Sequence, residues 1–384
     1  MKKEFEYVSH KVDRSARFGE VHTPHGIFHT PAFMPVGTSG AVKAMTSSDL
    51  EECGAEIILG NTYHLYLRPG EKRIRDLGGL AEFNAWHKPT LTDSGGFQVF
   101  SMQDLSKVDD DGVTFRSHHD GSEHRFNAEK VIEIERDIGA DIIMSFDQCV
   151  PYPADKGLAA AGVRRTFDWA KKGQVHFRKL EADNPTGTAL FGIVQGSVYP
   201  ELRKISAEQI VALGFDGNAI GGLAVGESKE EMADTLAYTI RYLPEDRPRY
   251  LMGVGYPEDI LMAVSNGVDM FDCVLPTRNA RTGMVFTSEG PLVFRNADCA
   301  DDNRPLDPNC DCKVCRRYSR AYIRHLYNQS EITALILASY HSTYFFQNLM
   351  KGIRQAIGEG RFEVFRKDFL NRYRNQTFNS TDDA

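Results

Sequence analysis

Eight short apolar runs, most of them separated by stretches with helical spacing, constrain the fold of this chain more than any other feature. Their length suits strands that are buried on both faces. Buried strands that alternate with helices are typical of a parallel barrel, so the sequence predicts an α/β fold, a (β/α)8 TIM-type barrel, with a doubly wound open sheet as the main alternative. The runs are PAFMPV (31–36), AEIILGN (55–61), PTLTD (89–93), ADIIMSFD (140–147), ALFGIVQG (189–196), GFDGNAIGG (214–222), RYLMGVG (249–255) and DMFDCV (269–274).

The stretches between the runs carry helix and hairpin signals. Residues 129–139 place apolar side chains at helical spacing, and the segments 200–214 and 257–267 each begin with Pro and end with Gly. Pro suits the first turn of a helix, and Gly suits the position after its end. The segment 109–126 breaks this rhythm and predicts a β-hairpin inserted after the third barrel strand.

Composition and charge exclude several classes of protein. The 384 residues carry 45 Lys and Arg against 53 Asp and Glu, a net charge of −8, so the chain as a whole is not a general binder of polyanions. No apolar run reaches the roughly 18 residues that span a bilayer, and the first ten residues lack the apolar region of a signal peptide. Seven cysteines, an odd number, argue against a disulfide framework. We therefore expect a cytoplasmic protein without membrane contact.

Polar side chains end several of the predicted strands. Asp93, Asp147 and Gln195 end the third, fourth and fifth strands, and Asp272 lies in the eighth. In a (β/α)8 barrel these ends meet at the face where active sites lie. A single Asp there is as readily a helix cap, but three carboxylates at one mouth favour catalysis. Two carboxylates suit cleavage at an anomeric carbon, one as nucleophile and the other as general acid/base.

A cluster of cysteines predicts a metal site. Cys310, Cys312 and Cys315 lie within six positions. Three thiolates and one histidine can share a tetrahedral zinc ion, and both His325 and His341 are spaced to supply the fourth ligand. Four protein ligands leave no position for a catalytic water, so we expect one structural Zn²⁺ per chain.

The sequence around the cysteines is basic. Between positions 310 and 324 the basic residues face one acid, Asp311, and more basic residues follow in the tail. A solvated helix face with local charge pairs and a track for RNA phosphates explain this charge equally well. The residues are Lys313, Arg316, Arg317, Arg320 and Arg324.

Seven motifs, taken together, identify a family. They are LTDSGGFQVF (91–100), SFDQCVPYPAD (145–155), FGIVQGS (191–197), GGLAVGE (221–227), YLMGVG (250–255), GVDMFDCVLPTRNAR (267–281) and CDCKVC (310–315). In this order they closely resemble the bacterial tRNA-guanine transglycosylases. The similarity begins near position 21 and covers nearly the whole chain, which is far more specific than any single motif.

This resemblance implies a fold and an activity. The fold is a (β/α)8 barrel with a zinc-binding insertion near the C-terminus. The activity is that of a pentosyltransferase in queuosine biosynthesis, which exchanges guanine for preQ1 at the wobble position of tRNAs with a GUN anticodon (Asp, Asn, His and Tyr). The exchange is a double displacement through a covalent tRNA–enzyme intermediate. The resemblance also implies a homodimer with the zinc module near its interface.

Roles follow for the matching positions. Asp272 matches the nucleophile and Asp93 the general acid/base. Arg278 and Arg281 match contacts to nucleotides beside the exchanged one. The positions that match base recognition and those that enclose the base are Asp147, Gln195, Gly222 and Leu223, with Phe97 and Met252. The positions that match the zinc ligands are Cys310, Cys312, Cys315 and His341.

The chain is expected to have three parts. Residues 1–295 form the barrel, with an N-terminal strand segment and the insertion near 109–126. Residues 296–342 form the zinc-binding subdomain, and 343–384 form a helical segment that packs on the barrel.

Two positions differ between groups of relatives. Gln148 stands where many relatives have Glu, which removes a neighbouring carboxylate from any proton coupling with Asp147. Val225 resembles the bacterial residue, and a smaller residue in eukaryotic relatives makes room for queuine, so preQ1 is the expected substrate.

Three rival functions are less well supported. A barrel glycoside hydrolase shares the paired carboxylates but needs no zinc module. A non-catalytic RNA-binding subunit has no need of both Asp93 and Asp272. An archaeal-type enzyme carries an additional RNA-binding domain, which we do not expect here.

Overall fold

A computed structural model describes residues 5–101 and 106–374, and eight parallel strands in it close into a barrel. Each strand overlaps one of the eight apolar runs, and neighbours in sequence are neighbours in the barrel. Pairing of the last strand with the first closes the ring, which confirms the predicted (β/α)8 fold and excludes an open sheet. The strands are β4 (Ala32–Gly37), β5 (Ile58–Asn61), β6 (Thr90–Asp93), β10 (Ile142–Met144), β11 (Ala189–Val194), β12 (Gly217–Ile220), β13 (Arg249–Leu251) and β14 (Met270–Cys273).

Three small antiparallel sheets accompany the barrel. One precedes it, one is inserted between β6 and β10, and one follows β14. Within the insertion, the strands at Gly112–Arg116 and Glu123–Phe126 pair as a hairpin over the segment where the sequence predicts one, and a strand at Ser106–Asp109 is the third. The strands are β1 (Glu6–Asp13), β2 (Ala16–Thr23), β3 (Gly26–Thr30), β7 (Ser106–Asp109), β8 (Gly112–Arg116), β9 (Glu123–Phe126), β15 (Val285–Thr287) and β16 (Gly290–Leu292).

Helices fill the connections between the strands and form the C-terminal part of the chain. Within the described residues, none is long and apolar enough to cross a bilayer. The helices are α1 (Ser47–Glu52), α2 (Thr62–Leu67), α3 (Glu71–Asp76), α4 (Leu80–Asn84), α5 (Gly96–Ser101), α6 (Ala128–Ile138), α7 (Lys156–Asp183), α8 (Pro200–Ala212), α9 (Lys229–Thr239), α10 (Pro257–Ser265), α11 (Leu275–Arg281), α12 (Arg320–Asn328), α13 (Ile332–Gly358) and α14 (Phe362–Arg374), with short 3-10 turns at Ile240–Tyr242 and Ala297–Cys299.

Local sequence explains where the predicted helices begin and end. The side chain of Asn127 accepts the N–H of Lys130 and caps α6, which ends at Gly139 in a left-handed conformation with φ of 85°. Both α8 and α10 begin with proline, and a left-handed glycine follows the end of each one. All three predicted helices are therefore confirmed.

Alternating side chains of the strands fill the barrel. Met34, Leu91, Met144, Phe191 and Met270 are among those packed in the interior. The opposite faces of the strands pack against the surrounding helices and form the largest apolar cluster. Strands that are buried on both faces explain why the runs are continuously apolar.

The predicted domain boundaries at positions 295 and 342 stay predictions. The second lies inside α13, which continues through it without interruption. Residues 1–4 of the first predicted part and 375–384 of the last lie outside the described residues.

Candidate active site

Three carboxylates meet at the carboxyl-terminal end of the barrel. Asp93 is the last residue of β6, Asp147 follows β10, and Asp272 lies in β14. The negative charges of Asp272 and Asp147 both act on Asp93 and raise its pKa. The three side chains therefore share one site, which separate helix caps would not produce.

Asp93 is held by three donors. Its Oδ1 accepts the N–H of Thr62 at 2.9 Å and of Gly95 at 3.2 Å, and its Oδ2 accepts the side-chain amide of Asn61 at 2.5 Å. The register of β5 and β6 sets Asn61 opposite Asp93. Burial, followed by the charges of Asp272 and Asp147, raises the pKa of Asp93 to about 7, although the two N–H groups oppose the shift. A carboxyl group with this pKa exchanges protons readily at neutral pH.

Asp272 presents one oxygen to the site. The Tyr250 hydroxyl donates to its Oδ1 at 2.6 Å, and the N–H of Gly253 donates to the same atom at 2.8 Å. Oδ2 accepts no hydrogen bond from the described residues. Burial raises the pKa of Asp272, whereas the Tyr250 and Gly253 donors lower it. Burial and the charge of Asp272 raise the pKa of Tyr250 well above its ordinary value, so the hydroxyl keeps its proton.

Asp147 lies beside an amide. Gln195 Nε2 donates to its Oδ2 at 2.6 Å, and Ser94 Oγ donates to its Oδ1 at 3.4 Å. Burial raises the pKa of Asp147 to about 6, and the bonds from Gln195 and Ser94 limit the rise. At neutral pH the group is therefore mostly ionised. A side chain at Gly96 would approach its Oδ1 to 3.2 Å, so glycine leaves the carboxylate accessible.

The loop after β12 completes the polar wall. Gly222 has a left-handed backbone with φ of 65°, and a Cβ at this position would clash with Oε1 of Gln195. Only glycine lets the backbone approach that amide so closely. Gln195 Oε1 is buried and has no hydrogen-bond partner among the described residues. Leu223 is buried in the outer core and anchors the loop.

The two residues predicted to enclose a base lie on opposite sides of the rim, because β6 and β13 are four strands apart in the closed barrel. Phe97 is in α5, directly after β6, and is 55% exposed, whereas Met252 follows β13 and is half-buried. Phe97 also lines a cavity of about 390 Å³ together with Gln148, Cys149 and Val225. The three carboxylates do not line this cavity, which therefore adjoins the site rather than containing it.

Arg278 and Arg281 extend the site outward. Both lie in α11, immediately after Asp272, and both are exposed. The Nε of Arg281 donates to the carbonyl of Thr277 at 3.1 Å, which fixes the direction of the side chain.

The sequence predictions did not include four residues whose side chains contact or support the carboxylates. One is Ser94, which follows Asp93 and donates to Asp147. Asn61 ends β5, so the rule that selected Asp93 would have selected it too. Tyr250 pairs with Met270 of the neighbouring strand. Met270 precedes Asp272 by two positions, and side chains two positions apart in a strand point to the same face, so Tyr250 and Asp272 lie on one face of the sheet. Glu135 of α6 is fully buried, and its Oε1 accepts the N–H of Met144 at 2.9 Å. Its helical spacing with Val131, Ile134 and Ile138 placed it on one face of the predicted helix, but nothing in the sequence connected it with Asp93.

The cysteine cluster has the geometry of a tetrahedral metal site. Nδ1 of His341 lies 3.7, 3.6 and 3.3 Å from the Sγ atoms of Cys310, Cys312 and Cys315. Ordinary zinc bond lengths predict a separation of about 3.5 Å between sulfur and nitrogen in such a site. His341 Nε2 lies 3.0 Å from the carbonyl of Phe286, which leaves Nδ1 to bind the metal. The donors fit zinc, and His325 is not among the residues that come together.

Local ion pairs neutralise much of the basic segment around the cysteines. Lys313 contacts Asp49 at 2.8 Å and Glu52 at 2.7 Å, and Arg320 contacts Asp302 at 3.0 Å. These contacts favour a surface of paired charges over a continuous phosphate track in this segment.

Comparison with known proteins identifies close relatives. The family described as queuine tRNA-ribosyltransferase matches residues 13–375. The queuine tRNA-ribosyltransferase of Caldanaerobacter subterraneus subsp. tengcongensis is 56% identical over 358 residues, which cover 93% of this chain and 94% of that protein. That of Halothermothrix orenii is 53% identical over 97% of this chain and 98% of its own, and that of Zymomonas mobilis subsp. mobilis is 51% identical over 93% and 92%.

Proposed function

The chain belongs to the queuine tRNA-ribosyltransferase family, a family of pentosyltransferases that act on tRNA, and we propose on this premise that it exchanges guanine for preQ1 at the wobble position of tRNAs with a GUN anticodon. The observation that carries the proposal is the meeting of three carboxylates, each with its own set of donors, at the carboxyl-terminal end of the barrel. Asp147 accepts from Gln195 and Ser94, Asp93 accepts from Asn61, Thr62 and Gly95, and Asp272 accepts from Tyr250 and Gly253 at one oxygen only.

Asp147 and its neighbours suit recognition of guanine. Guanine offers two adjacent donors, N1–H and the exocyclic amine, and an ionised carboxylate accepts both. Adenine lacks this pair of donors, so it would leave the buried carboxylate without its partners. The second N–H of the Gln195 amide and the N–H of Gly222 are suited to O6. Leu223 holds this loop, and Phe97 and Met252 enclose the flat faces of the base.

Asp272 is the proposed nucleophile of the first displacement. Its Oδ2 gives an electron pair to C1′ of the ribose, and the electron pair of the C1′–N9 bond remains with the departing guanine. Asp93 supplies the proton that neutralises the base. Tyr250 and Gly253 bind only Oδ1, so they orient the carboxylate without blocking Oδ2.

The second displacement reverses these transfers. Asp93 takes a proton from the incoming base, the nitrogen of that base attacks C1′, and the Asp272 carboxylate departs. Two displacements at one carbon give net retention of configuration. The reacting nucleotide must first be splayed out of the anticodon loop, and the exposed Arg278 and Arg281 are placed to hold the nucleotides beside it.

The remaining features of the proposal concern substrate choice and assembly. Val225 in the cavity beside Phe97 favours the smaller preQ1 over queuine. Zn²⁺ bound by Cys310, Cys312, Cys315 and His341 would hold the C-terminal part together and take no part in the chemistry. We also propose a cytoplasmic homodimer; a monomer in sedimentation experiments at micromolar concentration would contradict the dimer.

Exchange of labelled guanine into tRNA(Tyr) tests the proposal. Wild-type protein should incorporate the label, Asp272→Asn should not, and preQ1 should compete more strongly than queuine. A wild-type protein that carries zinc but incorporates no label would exclude the proposed exchange. Release of guanine without any exchange would instead favour hydrolysis.

A further inference from the structure

Arg203 of α8 is a fully buried cation that forms no close ion pair with any described residue. Its side chain donates only to backbone carbonyls: Nε to Ser197 at 2.6 Å, Nη1 to Gly221 at 2.7 Å and to Val194 at 3.3 Å, and Nη2 to Gly222 at 3.1 Å. No described carboxylate forms an ion pair with it. Burial lowers the pKa of Arg203 to about 10, although the charges of Cys149 and Glu227 act on it and raise its pKa, so the guanidinium remains charged at neutral pH.

The buried guanidinium of Arg203 is energetically costly. Moving an unpaired ion into a protein interior costs several kcal/mol, and neutral donors would satisfy the same carbonyls. The four carbonyls belong to the ends of β11 and β12 and to the loops that follow them, where Gln195 and Gly222 lie. The charge is thus concentrated directly behind the proposed O6 subsite.

Peptide geometry connects Arg203 with that subsite. The carbonyl of Gly221 and the N–H of Gly222 belong to one trans peptide unit and point in opposite directions. The same holds for the carbonyl of Gly222 and the N–H of Leu223. Because Arg203 binds both carbonyls, it turns both N–H groups away from itself. A cation on the carbonyl side also polarises each unit and strengthens its N–H as a donor.

We propose that Arg203 is a positioning residue that aims the N–H groups of Gly222 and Leu223 at the departing base and, through these peptide units, stabilises the negative charge that the base acquires. This inference rests on the proposed exchange reaction. When Asp272 bonds to C1′, the electron pair of the C1′–N9 bond spreads over the purine to O6 until Asp93 delivers its proton. Arg203 lowers the energy of that anion without touching it.

The acidity of the leaving base provides the test. Wild-type protein first loads tRNA(Tyr) with guanine or with 8-azaguanine, whose additional ring nitrogen stabilises its anion. Release of each base is then measured in a single turnover with Arg203→Gln and Arg203→Lys. Arg203→Gln should slow the release of guanine by about 100-fold, the typical effect of removing one donor from a site that stabilises an anion. Release of 8-azaguanine should slow by only about tenfold, because its anion needs less help.

Two further variants separate an effect on the charge of the departing base from a general loss of structure. Arg203→Lys keeps the charge but loses the fork that binds the Gly221 and Gly222 carbonyls together, so the ratio of its two release rates should lie between those of wild type and Arg203→Gln. Arg249, at the opposite end of the barrel, is also buried and donates from its side chain to the carbonyls of Leu243 and Pro244, so Arg249→Gln is the matched control and should leave the ratio unchanged.

The outcomes are distinct. Equal slowing of both bases in a folded Arg203→Gln protein would show a structural role only and overturn the inference. If that variant does not fold, a folded Arg203→Lys that slows the release of both bases equally would overturn it. If wild-type protein releases neither base, the proposed exchange itself fails.

Discussion

Replacing Asn61 by alanine should move the alkaline limb of the pH–rate profile upward. The Asn61 amide donates to Oδ2 of Asp93 at 2.5 Å and so stabilises the ionised carboxylate. Without this bond the pKa of Asp93, which burial and the charges of Asp272 and Asp147 already raise to about 7, should rise further. A hydrogen bond to a charged group contributes about 1.5–3 kcal/mol, which corresponds to a shift of about one to two pKa units.

The assay is kcat/KM for the release of guanine from tRNA as a function of pH, which reports on the groups of the free enzyme. Asp93 must carry a proton to neutralise the departing base, so the wild-type rate should fall as the pH rises through about 7. Asn61→Ala keeps the proton to higher pH, and its alkaline midpoint should therefore lie at least about one unit higher.

A second asparagine provides the control. Asn61 also caps α2 by accepting the N–H of His64 at 3.1 Å, and Asn127 caps α6 in the same way from Lys130 at 2.9 Å. Asn127→Ala loses a helix cap of the same kind away from the three carboxylates, so its profile should match the wild type. An alkaline midpoint that does not move in Asn61→Ala, or that moves equally in Asn127→Ala, would refute the assignment of this limb to Asp93.

Three further predictions concern stability, orientation and metal. Because the pKa of Asp93 is raised from 3.8 to about 7, the native state loses stability as the pH rises through that range. A shift of about three pKa units corresponds to about 4 kcal/mol, so the stability advantage of Asp93→Asn over wild type should be about 4 kcal/mol larger near pH 8 than near pH 4; urea unfolding that shows no such pH dependence would contradict this. Tyr250→Phe removes the 2.6 Å bond to Asp272 and should slow the formation of the intermediate about tenfold at unchanged tRNA affinity, so an unchanged rate would exclude an orienting role. Wild-type protein should contain about one zinc per chain by atomic absorption and Cys312→Ala almost none, with a lower thermal midpoint; a full zinc content in the variant would remove Cys312 from the site.

The barrel could be predicted from the sequence because its strands are buried on both faces and therefore appear as continuous apolar runs. The residues at which the strands begin and end were predicted less accurately than their number and order. The run 214–222 contains only four strand residues, because Gly214 follows the end of α8 and Gly222 already turns into the next loop. The third strand of the insertion, Ser106–Asp109, was missed because its four residues show no alternation that distinguishes them from a loop.

Part of the site could also be predicted from the sequence, because its carboxylates lie at or near the ends of the apolar runs. The position of Asp93, Asp147 and Asp272 at strand ends indicated one cluster, and the structure brings them together. The partners of these groups depend on register and depth, which a single sequence does not reveal. Tyr250 and Arg203 look like ordinary strand and helix residues until the barrel closes around them.

Trapping of the covalent intermediate tests the central claim most directly. Protein and tRNA(Tyr) are mixed without an incoming base, denatured, and examined by gel electrophoresis and peptide mass mapping. Wild-type protein should form an adduct on the peptide that contains Asp272, and Asp272→Asn should form none. An adduct that persists in Asp272→Asn, or one that maps to Asp93, would contradict the assignment of Asp272 as the nucleophile.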